Sequence, residues 1–160
     1  AYDNSIRYTD NFLARIIHLL KQQQVDASML YTSDHGEDIF DDGRHLFLHA
    51  SPVPSYYQLH VPLLLWTSDS YREEYPGIEK AASMNRQKNI SSSISFFQTM
   101  MELAGIETPY RNDSLSVTSP LYTEKSRVYL NDHNEPHSLD DIGMRKEDFE
   151  MLKKRGIDAQ

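Results

Sequence analysis

From Tyr2 to about Gln23, Ile6, Thr9, Phe12, Leu13, Ile16, Ile17 and Leu20 recur among charged and amide residues. Steps of three and four place them on one face of a helix, which Asp3 and Asn4 are expected to cap. Asp26 to Thr32 carries Met29, Leu30 and Tyr31 in a run of strand length. Val61 to Trp66 is apolar almost throughout, the pattern of a strand buried on both faces and lying beside the first. Pro62 is tolerable there because early strand positions can forgo a ladder donor. After a polar stretch containing Pro76-Gly77, Ser93 to Ala104 returns to helical spacing through Ile94, Phe97, Met100, Met101 and Leu103. Gly105 is the expected carboxyl-terminal cap. Arg127 to Leu130 predicts a further short strand, and Lys146 to Arg155 a terminal helix stopped by Gly156. Helices alternating with apolar strands favour an α/β architecture, a sheet with helices on its faces.

Between the first two strands the chain turns strongly polar. Residues 31 to 37 read Tyr-Thr-Ser-Asp-His-Gly-Glu, directly after the first strand. Asp34 and His35 set a hard carboxylate beside an imidazole, a ligand pair that suits a divalent metal such as zinc. Gly36 is expected to give the backbone a conformation closed to other residues, so that the loop turns away and presents both side chains. Glu37 is a candidate to orient His35, as metal-bound imidazoles usually require. The plainer alternative makes Asp34 a cap on backbone amides, with His35 and Glu37 merely at the surface.

Residues 38 to 60 follow as a long loop containing Asp41-Asp42-Gly43, Pro52 and Pro54, and loops of that length inside a domain are usually functional. His45, His49 and His60 lie in it, each a candidate for a pocket or for ordinary packing. Asp38, Asp41 and Asp42 lack the later bidentate glutamate of a calcium loop, so they read as a solvated acidic loop. Tyr56, Tyr57 and Trp66 read as core or pocket lining, and His18 as helix packing. His133 and His137, in Asn-Asp-His-Asn-Glu-Pro-His, form either a separate cation site or a polar loop.

Composition narrows the classes further. A chain of 160 residues can form one domain with its own core. The formal charge of -8 argues against nucleic acid, whose phosphates call for a basic face. Cysteine is absent, which removes disulfides, thiol nucleophiles and thiolate zinc sites from these residues. No run approaches the roughly 18 apolar residues of a membrane span, and no amino-terminal signal pattern appears. The chain starts at Ala1 and runs at once into a helix, so it is expected to be a piece of a longer protein.

Four segments together carry a resemblance: residues 2 to 10 (Tyr-Asp-Asn-Ser-Ile-Arg-Tyr-Thr-Asp), Ser33-Asp34-His35-Gly36-Glu37, Leu48-His49-Ala50-Ser51-Pro52, and His60-Val61-Pro62-Leu63. In that order they resemble the catalytic domain of phosphoethanolamine transferases, the lipid A-modifying and colistin-resistance enzymes of the alkaline phosphatase and sulfatase superfamily. The resemblance covers roughly the first two thirds of the chain. It implies the carboxyl-terminal portion of an α/β/α sandwich, residues 1 to 160 supplying that part of one catalytic domain. It also implies Asp34 and His35 as zinc ligands (manganese, magnesium or calcium being alternatives), and His49 as the histidine facing the phosphate pocket. A threonine nucleophile and a further acidic ligand are expected from the earlier half of the domain, outside this chain. The implied reaction passes phosphoethanolamine from a phospholipid donor, through a covalent phosphothreonine, to a hydroxyl of lipid A or a glycan. The implied setting is the periplasmic side of a bacterial inner-membrane protein, with membrane contact through helices upstream.

Three departures from the family pattern bear on this. The loop before His49 carries an extra Arg44-His45, which makes His45 a second candidate for the pocket. Ser92-Ser93 stand where the family often has a His-Asp pair. The disulfides of several relatives have no counterpart. The competing expectation is a sulfatase, phosphatase or phosphodiesterase of the same superfamily, with water as acceptor. Glycerol phosphate transfer of the lipoteichoic-acid synthase kind is a third enzyme class, and a non-catalytic binding module a fourth possibility.

Overall fold

The computed structural model describes residues 1–49, 53–130, 133, 135–139 and 145–156. Helix α1 spans Tyr2–Gln23 and closes on Gln24 in the left-handed conformation, whose N–H reaches the carbonyl of Lys21. Neither Asp3 nor Asn4 caps it. The helix starts at Tyr2, with Ala1 in the cap position and no side-chain cap, and Asp3 falls in the first turn, where its charge complements the helix dipole.

Strand β1 (Ser28–Thr32) leads into a small hairpin of β2 (Asp38–Ile39) and β3 (Phe47–Leu48). A one-turn helix α2 (Tyr56–Leu59) comes next, capped by the Ser55 side chain on the N–H of Gln58. The long polar loop therefore has structure of its own. Strand β4 (Leu63–Thr67) pairs antiparallel with β1, Leu30 opposite Leu65 and Thr32 opposite Leu63. The expectation that this strand is buried on both faces does not hold. Leu64 is 47% exposed and only Thr67 is buried. The sheet has two strands, and among the described residues α5 packs on β1 with little else to cover the second face.

The polar stretch that follows is also helical. Helix α3 (Asp69–Glu74) is capped by Ser68, whose hydroxyl accepts from the N–H of Tyr71 and, at 3.1 Å, from that of Ala27. One side chain thus starts a helix and fixes the entry to β1. Helix α4 (Pro76–Asn85) begins on Pro76, whose missing N–H and fixed φ suit a first turn. Helix α5 (Ser92–Leu103) ends before Gly105, which takes φ +62 as a cap glycine does. A turn of 3-10 helix at Asp113–Leu115 leads to the buried segment Ser116–Ser119. That segment is stitched to the helices by side chains: Asn85 donates to the carbonyls of Val117 and Ser119, and Thr99 accepts from the N–H of Val117.

Strands β5 (Val128–Leu130) and β6 (Pro136–Ser138) form a third antiparallel pair. Helix α6 (Lys146–Lys154) closes the described chain ahead of Gly156 at φ +67. Buried Tyr56, Tyr129, Leu139 and Leu152 form the core cluster, with Tyr57, Leu59, Phe149 and Met151 packed against it. Helix α2 is thereby fixed to α6. Helix α1, by contrast, buries no residue, and Ile6, Phe12 and Leu19 of its apolar positions are more than half exposed.

Candidate metal and phosphate site

The site is built on the segment that leaves β1 and on the two elements beside it. Gly36 is the contact point. Its N–H donates to the carbonyl of Gln58 at 2.8 Å, and a Cβ there would lie 2.0 Å from the carbonyl oxygen of Tyr57. Its φ is not in the left-handed region. The glycine is needed because α2 presses on the backbone, not because of an unusual conformation, which corrects the sequence expectation.

Asp34 is exposed. Its Oδ1 accepts the N–H of His35 at 3.0 Å and the Ser33 hydroxyl at 3.5 Å, and its Oδ2 lies 3.7 Å from Nε2 of His35. The N–H of His35, donating to it, holds the Asp34 carboxyl below the usual carboxylate range. His35 places Nδ1 3.0 Å from the carbonyl of Gly36. A carbonyl only accepts, so Nδ1 carries the proton and Nε2 keeps its lone pair on the side of Asp34.

Glu37 lies between β1 and β2 and is largely covered. Its Oε1 accepts from Nδ1 of His49 at 2.9 Å, which leaves the lone pair of His49 on Nε2. The His35 and His49 rings lie 3.9 Å apart, tilted by 37°. One ligand atom from each of His35, Glu37 and His49 falls within 4.8 Å of the others. Oε2 of Glu37 is buried and has no hydrogen-bond partner among the described residues. A buried carboxylate oxygen without a partner costs free energy unless a cation or donor meets it.

The structure thus brings His35, Glu37 and His49 together, with exposed Asp34 beside His35 but not in that group, and puts His45 elsewhere. His45 sits at the hairpin tip with φ +54, its ring against Phe40. His60 stacks on Tyr56 and its Nδ1 is 2.9 Å from the Tyr56 hydroxyl, while His18 bonds Gln22 on the exposed side of α1. His137 lies 3.8 Å from Glu135 and packs near Tyr129. His133 is described without its neighbours Asp132 and Asn134, so the candidate cation motif falls partly outside the described residues. Ala50 to Pro52, part of the histidine motif, also lie outside them.

The acidic loop is not merely solvated. Asp38 is buried and accepts from Ser55 Oγ at 2.6 Å and from the Gln58 amide, because β2 lies against the start of α2. Asp41 accepts the N–H of Ile39, and Asp42 holds Arg44. Sequence spacing could not reveal these pairings, since each depends on which backbone turns meet. The small hairpin is what carries His49 back over Glu37.

Residues 1–106 match the sulfatase family, and the chain belongs to it. Within that family it is similar to phosphoethanolamine transferases. EptA of Salmonella typhimurium strain LT2 is 33% identical over 124 residues, 74% of this chain and 22% of that protein. The Kdo(2)-lipid A phosphoethanolamine 7''-transferase of Escherichia coli strain K12 is 28% identical over 114 residues, 68% of this chain and 19% of that protein. The chain therefore spans between 19% and 22% of these two relatives. The C-terminal periplasmic domain of EptC from Escherichia coli, also solved in complex with Zn, superposes with a TM-score of 0.67 at 26% identity. That match covers 76% of this chain and 33% of that domain. The fold is accordingly part of an α/β domain of the alkaline phosphatase and sulfatase type. No helix among the described residues is long and apolar enough to cross a membrane.

Proposed function

We propose that residues 1–160 form the carboxyl-terminal part of the catalytic domain of a zinc-dependent phosphoethanolamine transferase, on the periplasmic side of a bacterial inner membrane. The observation that carries this reading is the hydrogen-bonded Glu37–His49 pair beside His35, with Oε2 of Glu37 buried and unmet. The Zn complex of the similar EptC domain supports the choice of metal. The donor set fits it: imidazole nitrogen and carboxylate oxygen suit zinc, and Nε2 of His35 and Oδ2 of Asp34 already face one another.

Asp34 and His35 would hold the ion, with Glu37 and His49 on its flank. Bound there, zinc supplies Lewis acidity and lowers the pKa of a coordinated hydroxyl. The chain's own residues do the rest of the local work. The carbonyl of Gly36 fixes the His35 tautomer, so that Nε2 is ready as a ligand. Glu37 likewise holds Nδ1 of His49, so that Nε2 would take up the proton of the acceptor hydroxyl and, once protonated, donate to a phosphate oxygen. The attacking threonine, its phosphothreonine intermediate and the upstream membrane helices belong to this proposal and lie outside these residues. A phospholipid donates the group, and a hydroxyl of lipid A or a glycan receives it.

Membership of the sulfatase family keeps hydrolysis as the rival, with water as acceptor. The full-length protein would be given phosphatidylethanolamine with and without lipid A, before and after treatment with a zinc chelator. Chelator-sensitive appearance of phosphoethanolamine on lipid A is the expected result. Release of free phosphoethanolamine alone, at the same rate with or without acceptor, would favour the hydrolase.

A further inference from the structure

A buried ion pair connects the end of the chain to the site. Arg44, at the tip of the hairpin, is 9% exposed, and Asp148 of α6 is not exposed at all. The guanidinium sends two hydrogen bonds to Asp148, at 2.7 and 2.9 Å, while its Nε contacts Asp42 at 2.9 Å. The two carboxylates hold Arg44 firmly charged. Asp148 also accepts the N–H of Tyr56 at 2.8 Å and that of Arg145 at 3.0 Å. One carboxylate thus ties together the hairpin tip, the first residue of α2 and the start of α6.

The hairpin needs such a tie. Phe40, His45 and Leu48 have φ of 65, 54 and 63, and non-glycine residues persist in that region only where their surroundings hold them. Leu48 is the residue immediately before His49. Asp148 lies well beyond residue 106, where the family match stops.

We propose that Arg44 and Asp148 are positioning residues for His49, so that α6 is a working part of the site although it neither touches it nor belongs to the matched family segment. The proposal rests on the role given to His49 above. With the pair intact, the hairpin has one resting position and His49 meets Glu37. With the pair broken, β3 is free to relax its strained backbone and the His49 ring leaves that contact.

The test uses the full-length protein with Asp148→Asn, Arg44→Lys, His49→Gln and the double variant Asp148→Asn/His49→Gln. Glu150→Gln, on the exposed side of α6, serves as control. All are assayed at a temperature well below each melting transition. Asp148→Asn and Arg44→Lys should lower kcat about tenfold to a hundredfold, the range of a misplaced catalytic group, with KM little changed. The double variant should be no slower than His49→Gln alone, because residues acting through one another are not additive. In metal-free protein labelled with 15N-histidine, the Nδ1 resonance of His49 should move in Asp148→Asn and stay in Glu150→Gln. Additive losses, or a lowered melting temperature with kcat and the His49 resonance unchanged, would overturn the proposal. If His49→Gln itself leaves activity intact, the functional reading of His49 fails. The resonance alone then decides whether Asp148 positions the ring.

Discussion

Replacing His35 by alanine should reduce turnover of the full-length enzyme by more than about a hundredfold, since loss of a mere outer partner of a metal ligand costs 10- to 100-fold. The reason lies in how little redundancy the site has. Nδ1 of His35 is committed to the carbonyl of Gly36, Nε2 lies 3.7 Å from Oδ2 of Asp34, and the ring sits 3.9 Å from that of His49. Alanine removes the ring that lies beside Asp34 and leaves His49 as the one imidazole of the His35, Glu37 and His49 cluster. Melting temperature without metal should change little, because His35 is only half-buried and makes no core contact. Activity measured across added zinc separates two outcomes. Recovery at high zinc would mean that Asp34 and Glu37 suffice as ligands. No recovery at any zinc concentration is the expected result.

Gly36→Ala should be as damaging, by a different route. The added Cβ would lie 2.0 Å from the Tyr57 carbonyl oxygen and 3.1 Å from its carbon, both backbone atoms that no rotamer change can move aside. Either the loop or α2 must shift. Overpacking of this kind typically costs about 1 to 3 kcal/mol, and more where backbone must give way. The shift would also break the Gly36 to Gln58 hydrogen bond and displace the Gly36 carbonyl from His35. Chemical denaturation should therefore show a destabilised protein, and zinc affinity should fall with it. A variant of unchanged stability and unchanged zinc affinity would show that α2 does not press on this loop.

The two changes illustrate what was legible in the sequence and what was not. Asp34 and His35 are adjacent, follow a strand, and needed only ligand chemistry to be singled out. The importance of Gly36 was legible but its cause was not, because a close approach by residues 57 and 58 leaves no trace in local pattern. Elements marked by apolar positions came through: α1, β1, β4, α5, the short β5 and α6 were predicted to within a few residues of the structure. Elements in polar stretches did not, since α3 and α4 carry few large apolar side chains to mark a helical face and the strands of the β2–β3 hairpin have two residues each. That hairpin is what joins His49 to Glu37. The Arg44–Asp148 pair spans 104 residues, and nothing in the spacing of either residue points to the other. The burial of Asp38 was hidden for the same reason.

Exposure also has a consistent explanation. The sheet formed by β1 and β4 and the apolar positions of α1 remain open, while the chain covers 33% of the similar EptC domain. Apolar faces of this extent suit a domain whose remaining layers come from elsewhere in the protein. The buried parts are the cluster where α2 and α6 bring Tyr56 and Leu152 together, and the segment Ser116–Ser119 held by Asn85 and Thr99.

The most direct test is a zinc titration of metal-free, full-length protein by calorimetry, with phosphoethanolamine transfer followed in parallel samples. Wild-type protein should bind zinc and regain transfer along the same curve, and Asp34→Ala should lose both. Transfer that persists in fully chelated protein, or binding and activity untouched by Asp34→Ala, would contradict a metal centre built on Asp34 and His35.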